Sequence, residues 1–380
     1  MINIALKYPE YKIRNTRERL DSVYQNRRYL DRIPIQTGLQ THYFLHDRGV
    51  GFLEYFSSAR AQVYHQLMNI KWRLENIEED YLSCESISVA PDFQNIATAA
   101  NFNEVHVIWD DANPPRIERL EDGIGDLRKL AMPSVTDGIC GKKIKMLFDM
   151  QEEIKNFNVT LNGKPIELKV SVPGTEGPFT DAMDLFGENL LVWLYEYPED
   201  TKRFMRLLAD ALIHFEKHIR GLCSYKRKGI SITSDGAEML SPEMFKEFVL
   251  PYNEIIFNEF PEYKEFHMCG RLDHLMDIVS NMDIDHLIAF GFPNDIKLMR
   301  KKIGSKFVYS GGISPILLKN GSKNEIVDEI CRYIDVFEDT GAYILGDGAS
   351  VAPGTPVENI NLLCATAGKY AALHEEHYMK

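Results

Sequence analysis

The chain has 380 residues, 44% of them hydrophobic and 26% charged, with 43 Lys and Arg against 56 Asp and Glu. A formal net charge of −13 leaves no chain-wide basic field to hold a phosphate backbone, which excludes nucleic acid as the expected partner. The opening stretch MINIALKYPEYKIRNTRERL carries no long apolar run, so neither a signal peptide nor a membrane span is expected. Cysteines at 84, 140, 223, 269, 331 and 364 lack paired spacing, as reduced thiols in a cytoplasmic protein would.

In chain order, residues 16–32 read as a charged helix with Leu20, Val23 and Tyr24 on one side. Residues 1–80 together read as an N-terminal helical extension. Residues 32–35 start the first strand, where Pro34 is tolerated. Residues 52–76 follow as helix, and 85–92 as a second strand ending at Asp92. Alternation over 105–109, then the loop 110–115, marks an excursion from the main body. Asn162-Gly163 is a hairpin turn.

From Leu168 the rhythm is strand, loop, helix, repeated. The strand 168–172 leads through a loop at 173–178 to a helix from about Asp181. Pro198 opens a long amphipathic helix with Phe204, Leu208, Leu212, Phe215 and Ile219 on one face. Strands follow at 229–234, 266–268, 286–290, 307–310 and 342–346. Between them, Ser241-Pro242 is a helix start, Gly304 and Gly341 are helix stops, and Thr355 with Glu358 forms a capping box. Strand centres at Ile33, Ile87, Val170, Ile232, Phe266, Leu287, Val308 and Ile344 number eight. They predict an α/β fold, a (β/α)8 TIM barrel, with residues 1–380 as one domain. A doubly wound open sheet is the structural rival.

Barrel active sites collect at the C-terminal ends of strands. That end should hold Asp92, Glu176, Asp235, Glu238, His267, Cys269, Ser310 and Asp347. His267 and Cys269 are the sharpest pair: two residues apart on a strand they face the same side, and zinc accepts an imidazole and a thiolate. The plain alternative is a buried histidine beside a core thiol. Asp235 and Glu238 could serve as carboxylate ligand or general acid and base, or be a solvated loop before a helix. Asp347, between glycines, could do the same or simply shape an Asx turn. Gly177-Pro178 enters a helix, and Ser310-Gly311-Gly312 could hold an anion through backbone N–H groups.

Several stretches together resemble the uroporphyrinogen decarboxylase superfamily, from about Thr16 to Ala371. They are RERLDSVYQNRRYLDRIPI near the start, EGPFTDAMDLFG from 176, LSPEMFKEFVLPY from 240, HMCG from 267 and ILGDGASVAPGTPVENI from 344. The resemblance implies a TIM barrel. It is closer to the corrinoid-dependent methyltransferase branch than to true decarboxylases, whose arginine-rich segment is replaced here by QTGLQTHYFLHDRGVG with Arg48 alone.

The branch implies transfer of a methyl group between a corrinoid protein and an acceptor such as a folate or thiol. His267 and Cys269 would be zinc ligands, and Ala349 stands where the thiol-dependent members place a second Cys. Zinc would then need oxygen from Glu238, Asp235 or Asp347. Asp235, Glu238 and Asp347 would orient or protonate the small-molecule methyl donor or acceptor. Gly177, Pro178, Ser310 and Gly311 would shape the cofactor-binding floor. No Asp-x-His-x-x-Gly motif is present, so the corrinoid would arrive on a separate protein, and the family leaves room for a homodimer. Two other readings stand beside this one: a cofactor-independent decarboxylase of a small or aromatic acid, and a non-catalytic ligand-binding relative.

Overall fold

The computed structural model describes residues 1–374 apart from 84–85, 95, 103–104, 121–122, 173 and 224–228. Cys84, Glu85 of the predicted second strand and Pro173 of the predicted loop therefore lie outside the described residues. Twelve strands are present among the described residues. β1 (Ile2–Leu6) pairs parallel with β5 (Phe157–Leu161), which turns back antiparallel into β6 (Lys164–Pro165). The turn has positive φ at Asn162 (51°) and Gly163 (81°), the backbone that Asn-Gly supplies in a two-residue hairpin. β3 (Val107–Ile108) and β4 (Arg116–Ile117) are the hairpin excursion. The sequence signalled both hairpins but not β1, whose apolar alternation is only five residues long.

The barrel is built from the rest. β2 (Ser86–Val89) pairs parallel with β7 (Glu167–Val170). β8 (Ile230–Thr233), β9 (Lys264–His267), β10 (His286–Phe290), β11 (Val308–Ile313) and β12 (Tyr343–Asp347) form one parallel sheet in that order. The first barrel position is reduced to a single parallel bridge from Ile35 to Leu345. Its backbone groups are met by side chains instead: Ile35 N–H donates to Asp80 Oδ2 at 2.9 Å and Thr37 N–H to Glu79 Oε2 at 3.0 Å. Asp80 also accepts from Arg32 and Arg19, both at under 3 Å, so buried carboxylates replace a neighbouring strand here.

Alternation along the strands sorts inside from outside. In β8 and β9, Ile230, Ile232, Lys264 and Phe266 are buried toward the outer helices, whereas Ser231, Thr233, Glu265 and His267 line the central cavity. The main core joins those outward residues to the helices, including Phe204 to Leu212 of the helix Pro198–Leu222. A second core joins β1, β5, β2 and β7 to the helices Ala59–Asn76 and Gly138–Glu153. Phe215 and Ile219, farther along the Pro198–Leu222 helix, belong to that second core.

Helix boundaries follow local chemistry with four departures. The first helix is Glu10–Asn26 and not 16–32, ended where Arg27 turns left-handed at φ of 51°, and Lys323–Phe337 ends before it reaches Gly341. Ser241 caps Pro242–Phe248 through Met244 N–H, and Gly304 ends Ile296–Ile303, as expected. The Thr355 capping box does not form: Thr355 Oγ1 donates instead to Ala352 O at 2.7 Å, and no side chain caps the final helix Val357–Leu373. A full capping box occurs at Ser322 and Glu325. Residues 52–76 are two helices, Phe52–Tyr55 and Ala59–Asn76, because Ser58 turns extended and caps the second. None of the described helices is long and apolar enough to cross a membrane.

Candidate metal and substrate site

A cavity of about 980 Å³ opens at the C-terminal ends of the strands and runs down the barrel axis. Side chains that barrels commonly pack with aliphatic layers are here polar. A largely apolar cleft of about 500 Å³ lies among Phe56, Trp109 and Met146, and neither Asp235 nor His267 lines it.

Three predicted residues meet where Asp235 and His267 line the cavity's rim, with Cys269 beside them and outside the cavity lining. Asp235, His267 and Cys269 each offer a ligand atom, and the three atoms lie within 4.8 Å of one another. β9 ends at His267, so Cys269 continues on the same side, as the spacing requires. His267 Nδ1 donates to Ile288 O at 3.0 Å, which turns Nε2 toward Asp235 Oδ2 at 3.3 Å. The other Asp235 oxygen accepts Cys269 N–H at 3.0 Å. Burial works against charge on the His267 ring, yet Asp235 and the Cys269 sulfur outweigh it and push the imidazole up to about 10. Burial would raise Asp235, but His267 and the Cys269 N–H hold it below the usual carboxylate range.

The donor set fits a divalent metal. One imidazole, one thiol and one carboxylate are ligand types that zinc takes, and three protein ligands leave a position for a reacting group. The imidazole is already oriented by its outer nitrogen. Gly291 lets the chain come this close, since a Cβ there would sit 1.7 Å from the Cys269 carbonyl oxygen.

Glu238 is not one of the three. Its side chain packs against Gly270, it does not line the cavity, and its Oε2 is buried without a hydrogen-bond partner. The short 3-10 turn Ala237–Met239 carries it away from the side that Asp235 faces. Asp347, the last residue of β12, is a strand residue rather than a loop residue and lines the cavity. Its Oδ1 accepts Gly38 N–H at 2.6 Å, its Oδ2 has no partner, and burial raises its pKa.

Ser310 and Gly311 line the same cavity but sit inside β11, not after it. Gly311 and Gly312 pair with Phe290 and Gly346 in the sheet, so they form no separate anion-binding loop. Gly177 and Pro178 begin the helix Pro178–Phe186, with Gly177 against the Thr233 carbonyl. The cavity wall is formed by their neighbours Gly174 and Glu176.

Glu265, His286, Tyr24 and Arg73 line the cavity as well, and sequence reasoning passed over them. Glu265 was legible as the residue two before His267 on one strand. Arg73 was not, because a helix outside the barrel delivers it.

Comparison with known proteins agrees with this architecture. The uroporphyrinogen decarboxylase (URO-D) family model matches residues 93–370. A methylated-thiol–coenzyme M methyltransferase of Methanosarcina mazei is 26% identical over 192 residues, 50% of each chain. A methylcobamide:CoM methyltransferase, MtaA, of Methanosarcina barkeri is 24% identical over 205 residues, 53% of this chain and 58% of that protein. A uroporphyrinogen decarboxylase of Prochlorococcus marinus is 29% identical over 161 residues, 40% of this chain and 46% of that one. The chain thus spans about half the length of these relatives. In structure, a methyltransferase from Methanosarcina mazei superposes with a TM-score of 0.66 at 16% identity, covering 93% of this chain and 98% of that one. From residue 93 to residue 370, the chain belongs to the uroporphyrinogen decarboxylase (URO-D) family and carries its barrel.

Proposed function

We propose that the protein is a cytoplasmic methyltransferase that exchanges a methyl group between a small molecule in the barrel and a corrinoid presented at its mouth by a separate protein. The observation that carries this reading is the convergence of Asp235, His267 and Cys269, the first two of them on the rim of a deep polar cavity. The similarity of half the chain to methyltransferases supports the same chemistry.

Zinc held by His267, Cys269 and Asp235 would supply a Lewis acid for the atom that bears or receives the methyl group. Asp235 would supply the ligand that the resemblance expects from a second cysteine, since Ala349 stands at that position of the sequence. The residues' own work is alignment, because methyl transfer is an in-line displacement whose barrier depends on positioning. Ile288 O fixes the His267 ring, Asp235 holds the Cys269 backbone, and the strand ends leave the site open to a partner from one side. Asp347, whose pKa burial raises, would help orient the small molecule from the wall of the same cavity.

A decarboxylase acting on a polycarboxylate is less well supported, since Arg73 is the one arginine or lysine lining the cavity among the described residues. The test is metal analysis with single-turnover methyl transfer. His267→Ala should lose bound zinc and lower transfer by about a hundredfold or more, with unchanged far-UV circular dichroism. Unaltered transfer in that variant would remove the assignment.

A further inference from the structure

The cavity does not end at the metal-ligating rim. Glu265 precedes His267 by two residues on β9, so it faces the same way about 6.6 Å deeper, at the parallel-strand rise. There it meets His286 of β10, whose Nδ1 lies 3.6 Å from Glu265 Oε1 and 3.3 Å from the Tyr24 hydroxyl. On its other side, His286 Nε2 is 3.0 Å from Ser310 Oγ. Tyr24, from the helix Glu10–Asn26, closes the bottom, with its ring edge-on to His286 at 5.7 Å.

Carboxylates outnumber positive groups in this well. Asp92, Glu176, Asp235, Glu265 and Asp347 line it, against the guanidinium of Arg73 and, at the rim, the His267 imidazole that Asp235 already pairs. That guanidinium is already spent on Glu79, with Nη2 donating to Oε2 at 2.9 Å, and it lies over the Tyr81 ring at 4.1 Å. Asp347 adds an independent sign of a ligand: 3% exposed, it lines the well with one oxygen unpartnered. A well of this kind repels an anion and welcomes a group that donates hydrogen bonds.

We propose that Glu265, His286 and Ser310 form a floor subsite for the distal polar end of an elongated methylated substrate, and that this end is a hydrogen-bond donor, ammonium or hydroxyl, never a carboxylate. The subsite rests on the methyl-transfer reading for which end lies at the rim, but its charge selectivity does not. With the methyl group near His267, the tail must reach one strand layer down, a span of about five bonds.

Three probes of that length differ only at the tail: 3-methoxypropylamine, 3-methoxypropan-1-ol and 3-methoxypropanoate. Isothermal titration of the full chain without corrinoid should bind the amine and the alcohol at least about tenfold more tightly than the carboxylate, the size of one charge-assisted hydrogen bond. The amine and alcohol arms distinguish ammonium from hydroxyl. Glu265→Gln, nearly isosteric, should cut the amine's advantage over the carboxylate by about tenfold. A carboxylate that binds as well as the amine, no binding by any probe, or an unchanged ranking in Glu265→Gln would each overturn the subsite. Because no methyl transfer is needed, failure here is distinct from failure of the methyltransferase assignment.

Discussion

Two ionisable residues outside the rim show how burial sets chemistry at the level of a single side chain. Asp181 is fully buried with neither oxygen hydrogen-bonded, and its pKa is raised, by burial first and then by Glu176. Asp184, three residues along the same helix, is raised to about 7 by burial and by Glu176, against a smaller pull from Arg119. The folded protein thus holds a proton on Asp184 that the unfolded chain releases near its ordinary value of 3.8. The native state binds more protons across that interval, so this group's contribution falls as pH rises from about 4 to about 7. Asp184→Asn should remove that fall and stabilise the protein at pH 7.5 by on the order of 2 kcal/mol, allowing for partial exposure. Denaturant unfolding at pH 4.5 and 7.5 measures it; an equal difference in wild type and variant would contradict the argument.

At the scale of elements, two irregularities shape the mouth. Between β10 and β11 the register shifts after Leu287, and Ala289 takes φ of 49°, a left-handed conformation in a non-glycine residue beside the cavity. Gly311 accommodates it, since a Cβ there would lie 2.8 Å from Phe290 N. The second irregularity is the first barrel position, held by carboxylates instead of a full ladder. Asp80, 1% exposed, ties Arg19, Arg32 and Ile35 together. Asp80→Ala would leave Arg32 buried without its partner and free the Ile35 N–H, at a cost of about 3–5 kcal/mol. Urea denaturation should show it, and a loss below about 1 kcal/mol would mean the segment is held by apolar packing alone.

Across the whole molecule, the helix Pro198–Leu222 joins the two large cores. Phe204 to Leu212 pack with the barrel's outer face, while Phe215 and Ile219 pack with the layer that contains β1 and β5. Loss of either core would strip apolar partners from the same helix. We therefore expect residues 1–380 to unfold as one unit, with coincident near- and far-UV circular dichroism transitions. Two resolved transitions would separate the N-terminal layer from the barrel. Zinc at a hundredfold excess over its dissociation constant should raise stability by about 2.7 kcal/mol, and a chelator should reverse the gain.

Periodicity and turn chemistry were enough for most of the architecture. Seven of the eight predicted centres lie on barrel strands or their ends, because each is a short apolar run followed by a helix with its own start and stop. Spacing also placed His267 and Cys269 on one side, since alternation along an extended chain is a local property. Local rules failed where long-range partners intervene. The first strand gave way to a bridge because Glu79 and Asp80, more than 40 residues away, take its hydrogen bonds. That Asp235 and not Glu238 clusters with His267 and Cys269 also depended on tertiary structure: both follow β8 by a few residues, and only the turn at Gly236, with φ of 87°, sends one to the rim and the other behind Gly270. The sequence determined which chemical groups are present and how each strand is faced. Which of them share a cavity was decided by barrel closure, because distance through space between strands is not encoded in any local pattern.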